Sequence, residues 1–322
     1  MVALLSIATG ALIAVMVFVN GRLTAVLGVA GAVAAIHAAG LAIAVLPLVL
    51  RRENPFRRVG TPLAYYAGGL IGVLTTLFNN LAFGRISLSA LIALGLLGQV
   101  LASLAVDRFG LFGFPRRRLH AGMVAGIAAV SGGIFAMLRG MQADGGLPAI
   151  LSLAAGVTVV ASRILNARLA ASTSPRVSVF HNFLTGLAAA MVLLCVWCAA
   201  GTADAAGTQH TAVVPVVALS QAAAFTASDA WMLSGSLLGF LVVLLSNWTT
   251  PRLPAFLVTL FVFVGQVFTG LAVDTLASGR FTAEQGVGGG LVLAGLLLTV
   301  LKPASARGYD AGEQPARTPC EP

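Results

Sequence analysis

The sequence has few charged residues and very few acidic ones. Only 9% of its 322 residues are charged, and 10 Asp and Glu stand against 19 Lys and Arg. A soluble domain of this length carries far more charge, so the composition excludes one. None of the acidic residues lies in the middle of an apolar run. An exporter that exchanges cationic drugs for protons needs a buried carboxylate, so the sequence argues against that class.

Cysteine and nucleotide-binding motifs are scarce or missing. One of the three cysteines lies in a polar C-terminal segment, and the other two, Cys195 and Cys198, form a C-x-x-C inside an apolar run. A structural zinc site takes four ligands, so we predict no metal, no cofactor and no disulfide framework. The sequence has no P-loop, so we expect a gradient or an exchange reaction to supply energy.

Long apolar runs make up most of the chain. Hydrophobic residues account for 58% of it, the mean hydropathy is +0.98, and the runs reach the ~20 residues that cross hydrocarbon. The first run has no basic region before it and no small-residue cleavage site, so we interpret it as a retained helix. We predict ten membrane-spanning helices, at about residues 2–20, 28–50, 62–82, 87–106, 119–138, 148–167, 177–199, 231–248, 254–274 and 286–302.

The basic residues lie mainly in short connections between these runs. In the ten-span arrangement, 14 of them fall on the side of the termini and 4 on the other. This bias predicts that both termini are cytoplasmic. The basic segments lack interleaved aromatic residues, so we expect contact with the lipid bilayer and not with nucleic acid.

Two blocks of the sequence occur twice. The earlier block repeats after 146 residues and the later one after 167, so the second copy holds an insertion of 21 residues between them. Such self-similarity indicates two related halves. The matched residues are Gly10 with Gly156, Asn20 with Asn166, Gly40 with Gly186, Gly68 with Gly235, Asn80 with Asn247, Gly98-Gln99 with Gly265-Gln266, and Asp107 with Asp274.

The halves are predicted to have opposite orientations. We place them at residues 1–140 and 148–302, with 303–322 as a disordered cytoplasmic tail. Each half holds five spans, an odd number, so the second half enters the membrane from the other side. The predicted fold is therefore an all-α integral membrane protein of ten helices in two inverted repeats. Residues 200–230 are predicted as an outside loop, with a re-entrant segment as the alternative.

The motifs around the first Asn and the first Gly-Gln resemble a bacterial family. They are Gly10-Ala-Leu-Ile-Ala-Val followed by Asn20-Gly-Arg-Leu, and Gly98-Gln99 followed by Asp107-Arg-Phe-Gly-Leu-Phe-Gly113. The chain resembles the inner-membrane exporters of the drug/metabolite transporter superfamily that were formerly classed as a domain of unknown function, in their fused ten-span form. The resemblance implies export of a small molecule across the inner membrane.

Duplicated amides inside the runs are the candidate substrate-binding residues. Polar side chains within hydrocarbon need partners and usually face a cavity or a neighbouring helix. Amides both donate and accept, so they suit a neutral or zwitterionic substrate at the repeat interface. The alternative is that the amides pack helices together. For Asn20 and Asn166, at the ends of spans one and six, a helix-terminating role is favoured. The candidates are Gln99, Gln266, Asn80, Asn247, Asn20 and Asn166, with Trp248 beside Asn247 as a stacking surface.

Five ionisable residues within or at the ends of spans complete the candidate set. His37 and His181 are candidates for proton coupling, with a packing hydrogen bond as the favoured alternative. Asp107 and Asp274 lie at span ends, where we predict a structural role as a helix cap or ion pair. Arg163 has no counterpart in the first half. We predict that it snorkels towards the cytoplasmic surface; if it faces the cavity instead, it selects an anion.

These features predict a secondary transporter of a small metabolite that works by alternating access. The alternatives are a membrane-embedded lipid-handling enzyme and a non-transporting membrane partner. The sequence lacks the cluster of nucleophile, base and orienting acid that such an enzyme needs. A scaffold has no need of matched interior amides. Monomer and homodimer both stay open.

Overall fold

The computed structural model describes residues 1–57, 60–86, 88–113, 116, 121–138, 146–204, 226–278 and 283–300. Within these ranges the chain is all-α, as predicted, and contains no β-strand. Short 3₁₀ turns connect some of the helices. The nine helices of the described ranges are α1 (Val2–Arg51), α2 (Gly68–Ala82), α3 (Leu88–Phe109), α4 (Ala121–Leu138), α5 (Gly146–Ser172), α6 (Pro175–Asp204), α7 (Ser234–Thr249), α8 (Ala255–Ser278) and α9 (Ala283–Val300).

Helix α1 is broken at Gly28, where the backbone has φ 68° and ψ 172°. Glycine adopts this left-handed φ without the steric cost that a side chain adds. Val19 and Ile36 share one hydrophobic cluster, although 17 residues of straight helix would separate them by about 25 Å. The chain therefore folds back at Gly28. We call residues 2–27 the first arm of α1 and residues 29–51 its second arm.

Six helical stretches in the described chain are long and apolar enough to cross a membrane, fewer than the ten predicted spans. The 50 residues of α1 count as one stretch despite the break. Helix α2 has 15 residues, below the ~20 that a crossing takes, and the apolar parts of α4 and α9 are Val124–Gly133 and Gly286–Gly295. Length and composition thus establish a multi-helix membrane protein, and the ten-span count stays a prediction.

Several helices extend beyond their predicted spans. Helix α6 continues to Asp204, so the first residues of the predicted 200–230 loop are helical. Helix α5 runs on to Ser172, past the predicted end at residue 167. Polar residues end an apolar run without ending a helix, which explains both differences. Residues 205–225 and the predicted tail, 303–322, lie outside the described residues.

The first helix of each predicted half packs against the Gly-Gln helix of the other. A Cβ at Gly10 in α1 would collide with the carbonyl oxygen of Val262 in α8 and lie 2.9 Å from the backbone nitrogen of Gln266. A Cβ at Gly156 in α5 would collide with the carbonyl oxygen of Gly95 in α3 and lie 2.7 Å from the backbone nitrogen of Gln99. Only glycine permits such close helix contact.

The same exchange of partners holds at two further glycine pairs. Gly68 at the start of α2 lies against the side-chain oxygen of Asn166, and Gly235 at the start of α7 lies against that of Asn20. In the second pair, Gly40 faces the ring of Phe183 and Gly186 faces the ring of His37. Each contact is the counterpart of another at the sequence offsets of 146 and 167.

The largest hydrophobic cluster lies where the first arm meets α3 and α8. Its fully buried side chains include Leu96, Val100, Phe256 and Phe263. Outside this core, many large apolar side chains are exposed, such as Leu50, which is 73% exposed. Helices that are apolar on all sides are typical of membrane-embedded proteins.

An ion pair ties the segment after α1 to the start of α6. The Arg176 guanidinium donates to the Glu53 carboxylate, with Nε 2.8 Å from Oε1, and the Ser174 hydroxyl donates to Oε2 at 2.7 Å. The hydrogen bonds from Arg176, followed by that from Ser174, hold the pKa of the Glu53 carboxyl below its usual range. Deprotonated Glu53 therefore stabilises the folded state.

We expect Glu53→Gln to lower stability at neutral pH by about 0.5–1 kcal/mol, because the pair is partly exposed. A lowered folded pKa gives stability that is present above the unfolded pKa and is lost as pH falls through the folded value. The difference between variant and wild type is therefore expected to vanish in acid. Thermal unfolding in detergent between pH 7 and pH 3 measures it, with Arg57→Gln in the same connection as the control. A difference that is constant with pH contradicts the assignment.

Candidate functional site

A cavity of about 150 Å³ lies between both arms of α1 and helices α2, α5, α6 and α7. Its walls carry amide, hydroxyl, imidazole and guanidinium groups beside apolar side chains, and both predicted halves contribute to it. The polar lining residues are Asn20, His37, Thr75, Thr76, Asn79, Ser162, Arg163, Asn166, Asn182, Ser246 and Asn247. The apolar ones are Ile13, Met16, Val17, Ile36, Val159, Phe183, Val242 and Val243, with Gly72 and Gly239.

Three of the predicted amides line this cavity: Asn20, Asn166 and Asn247. Asn80 is buried, at 5% exposed, but does not line it; its neighbour Asn79 does. Adjacent residues of a helix point about 100° apart, so only one of two neighbours faces a given surface.

Trp248 also lies outside the cavity lining. Arg252, one turn further along, places its guanidinium carbon 3.9 Å from the centroid of the Trp248 ring. The ring therefore takes part in a cation–π contact at the end of α7 and offers no stacking surface to the cavity.

Asn166 is the centre of a hydrogen-bond network at the cavity wall. Its amide nitrogen donates to Oδ1 of Asn182 at 2.8 Å and to the Ser162 hydroxyl at 3.3 Å. The Ser162 hydroxyl donates to the backbone carbonyl of Gly68 at 2.8 Å. The sequence analysis missed Asn182, because it considered duplicated amides and the counterpart of Asn182 at the 146-residue offset is Ile36. An amide within an apolar run was the signal that would have identified it.

The matching residue in the first half has fewer partners. The side-chain oxygens of Asn20 and Asn247 are buried and accept no hydrogen bond from the described residues. The side-chain nitrogen of Asn247 donates to the Pro175 carbonyl at 3.4 Å. A buried polar group that stays unpaired costs about 1–3 kcal/mol, so a donor that reached these two oxygens would be stabilising.

The two predicted glutamines lie behind the cavity wall. Gln99 and Gln266 are almost fully buried, and the Gln99 amide nitrogen donates to the Gln266 oxygen at 3.4 Å. Helices α3 and α8 bring them together from residues 167 positions apart. Neither lines the cavity, because each amide faces the other.

Arg163 links the glutamines to the cavity. It is 8% exposed, lines the cavity and donates from one terminal nitrogen to the Gln99 oxygen at 3.3 Å and to the Thr259 hydroxyl at 3.4 Å. The prediction that Arg163 snorkels towards the surface is wrong. Neutral acceptors on α3 and α8 hold its guanidinium inside the protein.

The two candidate histidines, His37 and His181, occupy separate places. His37 lines the cavity, and its Nδ1 lies 2.8 Å from the Val33 carbonyl, which assigns the proton to Nδ1. His181 lies among aromatic rings, 4.8 Å from Tyr66 between centroids, and its Nε2 is 2.8 Å from the Pro55 carbonyl. Of these two histidines, His37 is therefore the one placed to exchange a proton with the contents of the cavity.

Of the two predicted structural aspartates, the structure describes the side chain of one. Asp107 is buried at the end of α3, and its Oδ2 accepts a hydrogen bond of 3.0 Å from the backbone N–H of Phe256. Phe256 belongs to the first turn of α8, where N–H groups lack partners within the helix. The side chain of Asp274 lies outside the described residues.

Comparison with known proteins identifies the family. The family model described as "Putative inner membrane exporter, YdcZ" matches residues 1–136 and, separately, residues 147–298. The chain belongs to this family. The resemblance found in the sequence is confirmed, and the match in two segments agrees with a two-repeat form. The YdcZ family is described as one of exporters, which are not an enzyme class. The protein is thus a multi-pass inner-membrane protein of the transporter type.

Solved structures share the fold of this YdcZ-family chain. Among 22 matching chains, one titled "Crystal structure of protein" superposes with a TM-score of 0.62 at 14% identity. The superposition covers 92% of this chain and 94% of that chain. At this identity the likeness concerns the fold alone. A search of curated proteins finds no match.

Proposed function

We propose that this protein is a secondary transporter that exports a small metabolite by alternating access. The substrate site is the cavity between the halves, which receives polar residues from matched positions of both. Transport draws on a gradient or on exchange, since the sequence has no P-loop. This proposal goes beyond the family description, which names neither a substrate nor a mechanism.

The paired contacts support a two-fold relation between the halves. When two units are related by a two-fold axis, a contact of residue i with residue j is accompanied by the reciprocal contact of their counterparts. The contacts of Gly10 and Gly156 with the two Gly-Gln helices form such a pair. In the proposed arrangement each half has five spans, with the two arms of α1 counted separately, so the axis lies in the membrane plane. The excess of basic residues on the side of the termini supports cytoplasmic termini.

The position of the cavity supports alternating access. Helices from both halves enclose it, so a rocking motion of one half against the other opens it to one side while closing the other. At the glycine contacts, helices of the two halves meet backbone to backbone with few side chains between them. The observation that carries the proposal is the polar cavity at the interface of the two reciprocally packed halves.

A cysteine accessibility experiment tests this without knowledge of the substrate. In a variant with the three native cysteines replaced by Ser, Thr76→Cys places one thiol in the cavity wall. We expect a membrane-impermeant thiol reagent to modify it from either side of sealed vesicles, because the cavity opens alternately to both.

Val130→Cys is the matched control, because Val130 is 1% exposed in the core and lies outside the cavity lining. It is expected to stay unmodified from both sides. Modification of Thr76→Cys from one side only would indicate a static pocket, and no modification from either side would indicate a closed core. Either result contradicts alternating access.

A further inference from the structure

We propose that the cavity selects a small amphipathic monocarboxylate, with the carboxylate bound at Arg163 and a hydrocarbon body held by the opposite wall. This inference rests on the proposed transport function, because it assigns the substrate class of the same cavity. Four observations carry it: the asymmetry of the walls, the incomplete hydrogen bonding of Arg163, the support behind Arg163 and the size of the cavity.

The two walls differ at matched positions. Helices α2, α5 and α6 pack on one another on one side, and α1 packs on α7 on the other. At five matched positions the first side is polar and the second apolar; at one, Phe183 against His37, the order is reversed. The five pairs are Ser162 with Met16, Arg163 with Val17, Asn182 with Ile36, Thr75 with Val242, and Thr76 with Val243.

This asymmetry is a departure from the repeat. A cavity lined by two equivalent halves would present the same chemistry on both sides, as the pair Asn20 and Asn166 does. The side of α1 and α7 keeps the polar residues Asn20, His37, Ser246 and Asn247, but at the five pairs it is apolar, so it is the more apolar of the two walls. A ligand that matches both walls has one polar end and one hydrocarbon end, because an unpaired polar group against the apolar part of a wall loses binding energy.

Among the described residues, none supplies a counter-charge to Arg163. A guanidinium has five N–H donors. In the described chain, one terminal nitrogen of Arg163 donates to two neutral acceptors, Gln99 and Thr259, and the other N–H groups have no acceptor. No described carboxylate forms an ion pair with it. A buried charge without a partner is costly, and a carboxylate that accepts two parallel hydrogen bonds from a guanidinium is its best partner. One positive charge matches a monoanion.

The glutamine pair holds this charge in place. Gln99 accepts from Arg163 and donates to Gln266, so an amide from each half stands behind the guanidinium. Gln99 is thus a positioning residue, and it reaches the cavity only through Arg163. In functional sites, the side chain that contacts the ligand is held in its geometry by hydrogen bonds from the residues behind it.

The cavity size limits the hydrocarbon body. A volume of about 150 Å³ is comparable with cavities that hold one benzene-sized molecule. Benzoate is therefore a suitable probe for the class, which comprises carboxylates with a single ring or a short branched chain. Acetate lacks the body, benzamide lacks the charge, and benzylammonium reverses it.

The test compares these four probes on the purified full-length protein by equilibrium binding and thermal shift. We expect benzoate to bind most tightly and to raise the unfolding temperature most. Arg163→Gln is expected to weaken benzoate binding roughly 10- to 100-fold and to abolish the preference for benzoate over benzamide. Arg163→Lys, which keeps the charge, is expected to retain that preference.

Arg22→Gln is the matched control, since it removes one positive charge from an exposed position outside the cavity. It is expected to bind benzoate like the wild type. If Arg163→Gln fails to fold, Val243→Thr on the apolar wall replaces it and is expected to reduce the preference for benzoate over acetate.

Three results would overturn the inference: tighter binding of benzamide or benzylammonium than of benzoate, unchanged benzoate binding in Arg163→Gln, and binding of none of the four probes. If Thr76→Cys is nevertheless modified from both sides, the transport proposal stands and only the substrate class fails. If Thr76→Cys is modified from one side or from neither, the transport proposal fails independently of the probes.

Discussion

Gly265→Ala is expected to destabilise the protein by about 1–3 kcal/mol, the usual cost of overpacking a tightly packed core. A Cβ at this position would collide with the backbone carbonyl oxygen of Ile7 and lie 2.8 Å from the amide nitrogen of Ala11. Backbone atoms cannot rotate away as a side chain does. The helices must therefore separate, and α8 loses its close contact with the first arm.

Gly98→Ala is expected to have the same effect, because a Cβ there would collide with the carbonyl oxygen of Leu153, the counterpart of Ile7. Thermal unfolding in detergent, with size-exclusion chromatography as a check on assembly, measures both variants. Destabilisation by one variant only would contradict the reciprocal packing of the two halves.

Gly132→Ala in α4 and Gly290→Ala in α9 are the matched controls. A Cβ at either position meets nothing within 4 Å. Alanine is about 0.5–1 kcal/mol more favourable than glycine within a helix, so these variants are expected to be neutral or slightly stabilising. A loss of stability in the controls as large as in Gly265→Ala would contradict the role of close contact.

Gln99→Leu is expected to be more damaging than Gln266→Leu, although the two glutamines are duplicates in sequence. Gln99 accepts a hydrogen bond from the buried Arg163 guanidinium, and losing a hydrogen bond to a charged group costs about 1.5–3 kcal/mol. Gln266 gives up only a neutral bond of 3.4 Å to Gln99, which is worth about 0.5–1.5 kcal/mol. The asymmetry follows from Arg163, which replaces the Val17 of the other half.

A double-mutant cycle with Arg163→Met isolates the interaction. Once the Arg163 charge is absent, Gln99→Leu no longer leaves a buried guanidinium without its acceptor. The double variant is therefore expected to be more stable than the sum of the two single effects predicts. Stability is measured by thermal unfolding at one pH and detergent concentration. Equal losses for the two glutamine variants, or additive effects in the cycle, would contradict the assigned role of Gln99.

Sequence alone determined the class of protein and the family. The scarcity of charge, the long apolar runs and the motifs around Asn20 and Gln99 predicted an all-α membrane protein of the exporter family, and these predictions are confirmed. They depend on composition and local pattern, which are properties of the chain itself. The matched offsets also identified residues that prove to meet in space, such as Gln99 and Gln266.

Only the tertiary structure decided which polar residues face the cavity. Helices that are apolar on nearly every side carry no periodic signal of their rotation, so sequence could not separate Asn79 from Asn80 or predict that Trp248 lies outside the lining. The inward position of Arg163 depends on acceptors from α3 and α8, which lie 64 and 96 residues away. Packing between distant helices sets that rotation, and the polarity of the two walls follows from it.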